Sequence, residues 1–342
     1  MSAADGYFSL GEAQRLRDLH ALKLLYTPAE ERFDRITRLT ARVLQAPVAM
    51  ISFITEDAQW IKSSFGVTVG HIDRSWSICA QTIKEHHTMV VPDLMADARF
   101  AANPLVGSAP FIRFYAGQPL HSGTRSTVGV LSVMDTLPRQ LSRSEQETLQ
   151  DLAVIVEREL SRRGQNSFQD TLIQTHDTQQ RRGTIDELTR MWNRASIMEL
   201  AHLECAAASM GSSLSMLLID VDHLASINES MGVAMGDFVL HEVAAEIRHS
   251  LRDTDISGRY GGDTFMVMLR AGVLDSKLVA ERIRMAIERR VIPGMAMPVT
   301  VSVGVACAKS QSPTPALLIS AADRVLNQIK DEGRNQVGHV LL

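Results

Sequence analysis

Cysteine is scarce: Cys79, Cys205 and Cys307 are the only three in 342 residues, far apart and without a CxxC pair. That excludes a disulfide framework and argues against a zinc site. An excess of one charge is also lacking, since 35 Lys and Arg stand against 39 Asp and Glu for a net charge of −4. No general attraction to nucleic acid or to an anionic membrane is therefore expected. No apolar run approaches the roughly 18 residues that spanning a bilayer requires, and the opening MSAADGYFSLGEAQRLRDLH has no basic stretch leading into an apolar one. The expectation is a chain with no nucleic-acid and no membrane partner, working in a reducing cytoplasm. What remains is ordinary globular usage, 45% hydrophobic and 22% charged, with 21 Gly and 11 Pro. Disorder and collagen are thereby excluded. At about 100–200 residues per domain, the length favours two domains.

Periodicity gives the organisation. Apolar residues from Leu16 to Val43 recur at three- and four-residue steps, which predicts two amphipathic helices split at Thr27-Pro28. Strands are predicted at 47–54, 59–65, 89–91, 109–119 and 128–134, with a helix at 77–83. Ser142 followed by Glu145 has the spacing of a capping box and opens a long helix. Beyond Arg162 the sequence turns polar, with only Phe168, Leu172 and Ile173 at helical spacing. This segment reads as a helical connector paired with its copy in a dimer, or as a disordered linker. After Thr184 strands and helices interleave in a ferredoxin-like split βαβ manner.

Two segments carry chemistry. In MLLIDVDHLASIN, residues 216–228, an apolar strand ends in Asp220 and Asp222. In SGRYGGDTFMVML, residues 257–269, two β-like runs flank Gly261-Gly262, a pair that suits a tight hairpin because glycine accepts positive φ. Asp263 stands directly after that turn. One carboxylate at a strand end beside another on a neighbouring hairpin is a way to hold Mg²⁺, which keeps waters and substrate phosphates among its ligands. The plainer readings are an ordinary Gly-Gly hairpin and aspartates that cap the next turn.

The ordered segments LLIDVDHLASIN…MGVAMGD, RYGGDTF, VTVSVGVA and ADRVLNQIKDEGRN resemble the successive blocks of the GGDEF domain, the diguanylate cyclase family. The resemblance covers roughly residues 184–340. It implies that two GTP molecules, one on each protomer of a homodimer, are joined to cyclic di-GMP with loss of pyrophosphate. Carried over by position, it puts metal ligands at Asp220, the carbonyl of Val221 and Asp263, with Asp220 and Asp263 catalytic. GTP contacts fall on Gly261, Gly262, Asn228 and Asp237, the last two reading guanine, and on Lys330 and Arg334 at the triphosphate. Arg252 and Asp255 match the inhibitory product site of the family, although a surface salt bridge is the alternative for so short a pattern.

The departures are Thr264 where the signature has Glu, Ala225 where Lys is usual, Val233 where His is common and Asn327 where Tyr is usual. A hydroxyl does not replace a carboxylate's charge at a divalent metal. The sequence is consistent either with a cyclase of reduced activity or with an inactive domain that receives GTP or cyclic di-GMP.

The first half resembles a GAF domain of the bacterial sensor type through residues 27–67, SICAQTI, VPDLMADARFAANPLV, IRFYAGQPL and VGVLSVMD. That implies an α+β sensor with an unknown small ligand. Trp60, Cys79, Arg113 and Tyr115 are pocket candidates, with core packing as the alternative for Trp60 and Tyr115 and a small buried hydrophobe for Cys79. The expected layout is an N-terminal tail at 1–11, an α+β GAF domain at 12–160, a helical connector at 161–183 and an α/β GGDEF domain with a nucleotidyl-cyclase-type sheet at 184–342.

Overall fold

A computed structural model describes residues 3–67, 70–85, 87–161, 169, 173, 178–208, 213–295, 297–309 and 313–342. It divides the chain into two compact units, Met1–Arg163 and Gly164–Leu342. Among the described residues no helix is long and apolar enough to cross a membrane.

The first unit is built on α1 (Ala3–Ala21), α2 (Glu31–Val43), β1 (Val48–Ile54), β2 (Ala58–Phe65), β3 (His71–Asp73), α3 (Ile78–Glu85) and β4 (Met89–Val91). It continues through α4 (Pro104–Gly107), β5 (Phe114–His121), β6 (Thr127–Asp135) and α5 (Arg143–Leu160). The strands form one antiparallel sheet in the order β3-β2-β1-β6-β5-β4. Central β1 and β6 are buried along nearly their whole length, because both sheet faces are covered. On one face α1, α2 and α5 contribute Leu19, Phe33, Ile36, Leu149 and Val156. On the other, α3 and the 94–112 segment contribute Ile78, Ile83, Phe100 and Val106. The capping box at α5 is present, with Ser142 and Glu145 each satisfying the other's backbone.

Three expectations change here. The first helix begins at Ala3, so residues 3–10 of the expected tail are helical. Residues 109–113 are not strand: Phe111 takes a positive φ of 56° and β5 starts at Phe114. The two early helices do not abut at Pro28 but are separated by residues 22–30. Across that gap the fully buried Lys62 of β2 lies 2.6 Å from Glu30 and donates to Thr27 Oγ1 and the Pro28 carbonyl at 2.7 Å each. A buried ammonium requires such partners, so polar contacts add to the burial of Leu24, Leu25 and Tyr26 in fixing the connection.

The second unit contains α6 (Thr178–Arg181), α7 (Arg194–Ala207), β7 (Ser213–Val221), α8 (Leu224–Met231), α9 (Val233–His249) and β8 (Ile256–Arg259). After these come β9 (Thr264–Leu269), α10 (Val273–Glu288), β10 (Val301–Lys309), α11 (Pro315–Asp331) and β11 (Val337–Leu341). Its sheet runs β11-β10-β7-β9-β8, with only the β10–β11 pair parallel. Leu217, Ile219 and Val221 of β7 face α9 and α10, whereas Met216 and Leu218 face α7 and α11. Asp220 shares the parity of Leu218 and so points toward α11. Of the expected connector, residues 162–168, 170–172 and 174–177 lie outside the described residues, while Gln169 and Ile173 are helical.

The clamp generates a prediction. Glu30→Gln removes the negative charge 2.6 Å from Lys62 and should destabilise the first unit by about 2 kcal/mol in denaturant melts, short of a fully buried pair because the Glu30 side chain is 32% exposed. Acid should act in the same direction. Hydrogen bonds from Arg15, and then Arg74, outweigh burial and hold Glu12 at about 2, down from 4.5. At Glu30 burial pushes the carboxyl up, but Lys62 and Arg32 more than reverse it. Both folded-state values are lowered, so their contribution is present above the ordinary 4.5 and is lost as pH falls through the folded-state values, which for Glu12 means toward about 2. Thermal melts over that window should show this loss, and Glu12→Gln should flatten it.

Candidate active site

The site grows from the end of β7. Asp220 sits opposite Thr264 in the β7–β9 register, and the Val221 N–H donates to the Asp263 carbonyl at 3.1 Å. This pairing brings the two carboxylates to one point: Thr264 Oγ1 lies 3.1 Å from Asp220 Oδ2 and 3.4 Å from Asp263 Oδ1. A hydroxyl has one proton, so it serves one carboxylate at a time. From α11, Lys330 Nζ reaches Asp220 Oδ1 at 2.7 Å. Burial raises the Asp220 carboxyl above its ordinary value, the Lys330 hydrogen bond opposes this, and the neighbouring Asp263 charge adds to it. The group is short of positive charge, which a cation delivered with a ligand would supply.

A cavity of about 680 Å³ opens from Asp220, Thr264 and Lys330 between α7 and α11, past Tyr260 and His202 to Asp323. Among the described residues no cluster of three His, Cys, Asp or Glu could hold a metal by itself. Two converging carboxylates beside a strand-end carbonyl instead suit Mg²⁺, which is commonly bound through one or two carboxylates plus substrate phosphates.

The glycine pair differs from expectation in its cause. Neither Gly261 nor Gly262 has positive φ. A Cβ on Gly262 would meet open space, and one on Gly261 would come no nearer than 3.9 Å to Thr264. Neither backbone strain nor packing demands glycine at these positions; a side chain would obstruct only what approaches from outside. The turn is held by Arg259, whose guanidinium donates to the Gly262 carbonyl at 2.7 Å and to that of Gly261 at 3.3 Å, and pairs with Asp186 at 3.2 Å.

Asn228 and Asp237 lie on α8 and α9. The Asn228 Oδ1 is buried without a hydrogen-bond partner and packs so closely on Gly236 that a Cβ there would come within 1.8 Å. A buried orphan acceptor is costly and is relieved by a ligand donor. Asp237, the next residue along, is exposed. Arg334 has a φ of 64° and donates to the Lys330 carbonyl at 3.2 Å, which keeps both basic residues at the end of α11. Arg252 and Asp255 form a separate turn ahead of β8: Asp255 Oδ2 accepts the Arg252 N–H at 2.9 Å, and the Arg252 carbonyl accepts the Asp255 N–H at 3.0 Å. The Arg252 side chain is exposed.

The sequence reading placed Asp222 at the strand end but not its partners, and it missed the role of Arg259. Asp222 is buried and accepts from Thr300 Oγ1 at 2.7 Å, Ser302 Oγ at 2.8 Å and the Asn335 N–H at 3.1 Å, tying the loop of Arg334 to β7. Arg259 was visible only as an arginine two places before the glycine pair. At the departures, Ala225 and Val233 are exposed, and Asn327 donates to Asp323 at 3.2 Å.

The four candidates in the first unit do not line one pocket. Trp60 belongs to the α1–α2 face, its ring 4.6 Å from that of Tyr26. Cys79 and Tyr115 are buried on the opposite face, joined by a 3.4 Å hydrogen bond, with Thr82 2.6 Å from the Tyr115 hydroxyl. Arg113 pairs with Asp93 at 2.6 Å.

Residues 183–336 match the family described as diguanylate cyclase, GGDEF domain, and residues 28–160 match the GAF domain family. A cyclic di-GMP phosphodiesterase of Pseudomonas aeruginosa is 28% identical over 243 residues, which is 71% of this chain and 39% of that protein. Diguanylate cyclase A of Treponema denticola is 36% identical over 144 residues, 41% of this chain and 39% of the relative. The response regulator PleD of Caulobacter vibrioides is 37% identical over 158 residues, 44% of this chain and 35% of the relative. The chain thus spans 39% or less of the length of these curated relatives.

The open turn predicts that Gly262→Ala keeps stability within about 0.5 kcal/mol, as for a surface change. It should nonetheless weaken binding of a non-hydrolysable GTP analogue in calorimetry.

Proposed function

We propose that this chain, a GAF domain joined to a GGDEF domain, is a cytoplasmic diguanylate cyclase of reduced turnover that joins two GTP into cyclic di-GMP. The observation that carries this reading is the convergence of Asp220 and Asp263 on one hydroxyl, with Lys330 beside them. When bound, Mg²⁺ would offset phosphate charge and favour attack on the α-phosphate. Asp220, Asp263 and the Val221 carbonyl would hold it. The chain supplies the rest. Lys330 and Arg334 bring positive charge to the phosphates. Asn228 offers its orphan acceptor to a guanine N–H, and Asp237 accepts the paired N1–H and N2–H donors. Asp263 stands ready to accept the proton of a ribose 3′-hydroxyl. The side-chain-free surface of Gly261-Gly262 lets the phosphates approach the backbone.

Because the product is cyclic and needs two nucleotides, each held by one protomer, the active form is a homodimer. The GAF domain and connector bring the copies together, and a small GAF ligand changes the spacing of the output domains by rigid-body movement. Thr264 and Ala225 lower the rate. Two lost charge-assisted contacts, at ~1.5–3 kcal/mol each, correspond to a deficit of on the order of 10²–10⁴ in turnover.

Incubation with GTP and Mg²⁺, with products resolved by chromatography, should give slow formation of cyclic di-GMP by the wild type and none by Asp263→Ala. Thr264→Glu should raise the rate by at least about tenfold, the equivalent of one recovered contact of about 1.4 kcal/mol. No product from the wild type, with cyclic di-GMP binding that Arg252→Ala abolishes, would replace the enzyme by a receptor.

A further inference from the structure

Gln169 and Ile173 are helical residues of the connector that pack inside the second unit. Ile173 packs on the cluster of Trp192, Leu200 and Met266. Gln169 is bound at both ends of its amide: its Oε1 accepts the Trp192 indole N–H at 3.1 Å, and its Nε2 donates to the Asp255 carbonyl at 3.2 Å. These partners are not arbitrary. Asp255 closes the turn with Arg252 and directly precedes β8. Trp192 is fully buried, and its carbonyl accepts the Arg259 N–H at 2.8 Å. Arg259 ends β8 and holds the carbonyls of Gly261 and Gly262. Each end of one connector amide therefore leads to β8, and β8 leads to the turn that carries Asp263.

We propose that Gln169 is a positioning residue that couples the connector to the Gly261–Thr264 hairpin, so that connector movement and occupancy of the Arg252–Asp255 turn reach the acidic pair by one route. The role of that turn as the product site rests on the function proposed above; the coupling itself does not. The alternative is a side chain that only adds stability to the second unit. The two are distinguishable because Gln169 has separate jobs. Gln169→Ala loses both hydrogen bonds. Gln169→Glu keeps an acceptor for the Trp192 indole and loses the donor to Asp255.

Hydrogen exchange on the full chain, without nucleotide or metal, tests this. In Gln169→Ala the Trp192 indole N–H and the amides of residues 256–264 should exchange about tenfold faster, roughly the effect of one or two net hydrogen bonds. The strands Ser213–Val221 and Val301–Lys309 should be unchanged. Gln169→Glu should restore protection of the indole but leave the amides of β8 fast. Unchanged exchange at residues 260–264 in Gln169→Ala would overturn the proposal. Uniform acceleration through all strands of the second unit in both variants would overturn it as well. Cyclic di-GMP added to the wild type should slow exchange at the Trp192 indole. Binding that leaves the indole unaffected counts against the coupling, whereas a wild type that binds no cyclic di-GMP removes the product-site reading and leaves the exchange result in the variants to decide the coupling.

Discussion

Two carboxylates, one at the end of β7 and one on the turn before β9, are held where they repel each other. Asp220 and Asp263 share the reach of a single hydroxyl, and nothing in the hydrophobic layers around them benefits from that closeness. The register of β7 against β9 forces it, because sheet pairing fixes which residues face each other. The protein lowers the cost with Lys330, which pairs with the more buried of the two. A mutual repulsion imposed by the sheet and only partly neutralised is a site poised for added positive charge. Thr264 places a donor rather than a third negative charge beside this group, which limits the repulsion and the pull on a cation.

Much of this was legible in the sequence because it is local. An apolar run ending in Asp220, and an aspartate one step beyond a glycine pair, are short patterns whose geometry follows from strand and hairpin rules. The capping box at Ser142 is of the same kind. What was hidden depends on partners far along the chain. The hydrogen bond of Asp222 to the Asn335 N–H spans 113 residues, and the clamp of Lys62 on Thr27 spans 35. No periodicity encodes such pairs. The glycine pair shows a third case: the position was legible and the reason was not, since local rules suggested positive φ where the structure has ordinary backbone and open space.

The two units use buried polar groups in different ways. In the first, Lys62, Glu30 and the Tyr115–Thr82–Cys79 group are internally satisfied, so they fix the packing of helices on the sheet. In the second, Asn228 keeps an unpartnered oxygen and Asp220 a carboxyl displaced upward by burial. Unsatisfied groups of this type are expected where a ligand completes the structure. The contrast accords with the chemistry proposed for the second unit, and Gln169 is the contact through which the connector is proposed to bear on it.

The most direct measurement is a crystal structure of the full chain with a non-hydrolysable GTP analogue and Mn²⁺, whose anomalous signal marks the metal. The expected result is a manganese peak between Asp220 and Asp263, the guanine edge on Asn228 and Asp237, and Lys330 turned from Asp220 to phosphate. A nucleotide bound away from both carboxylates, with the Lys330–Asp220 pair intact and no metal peak beside it, would contradict it.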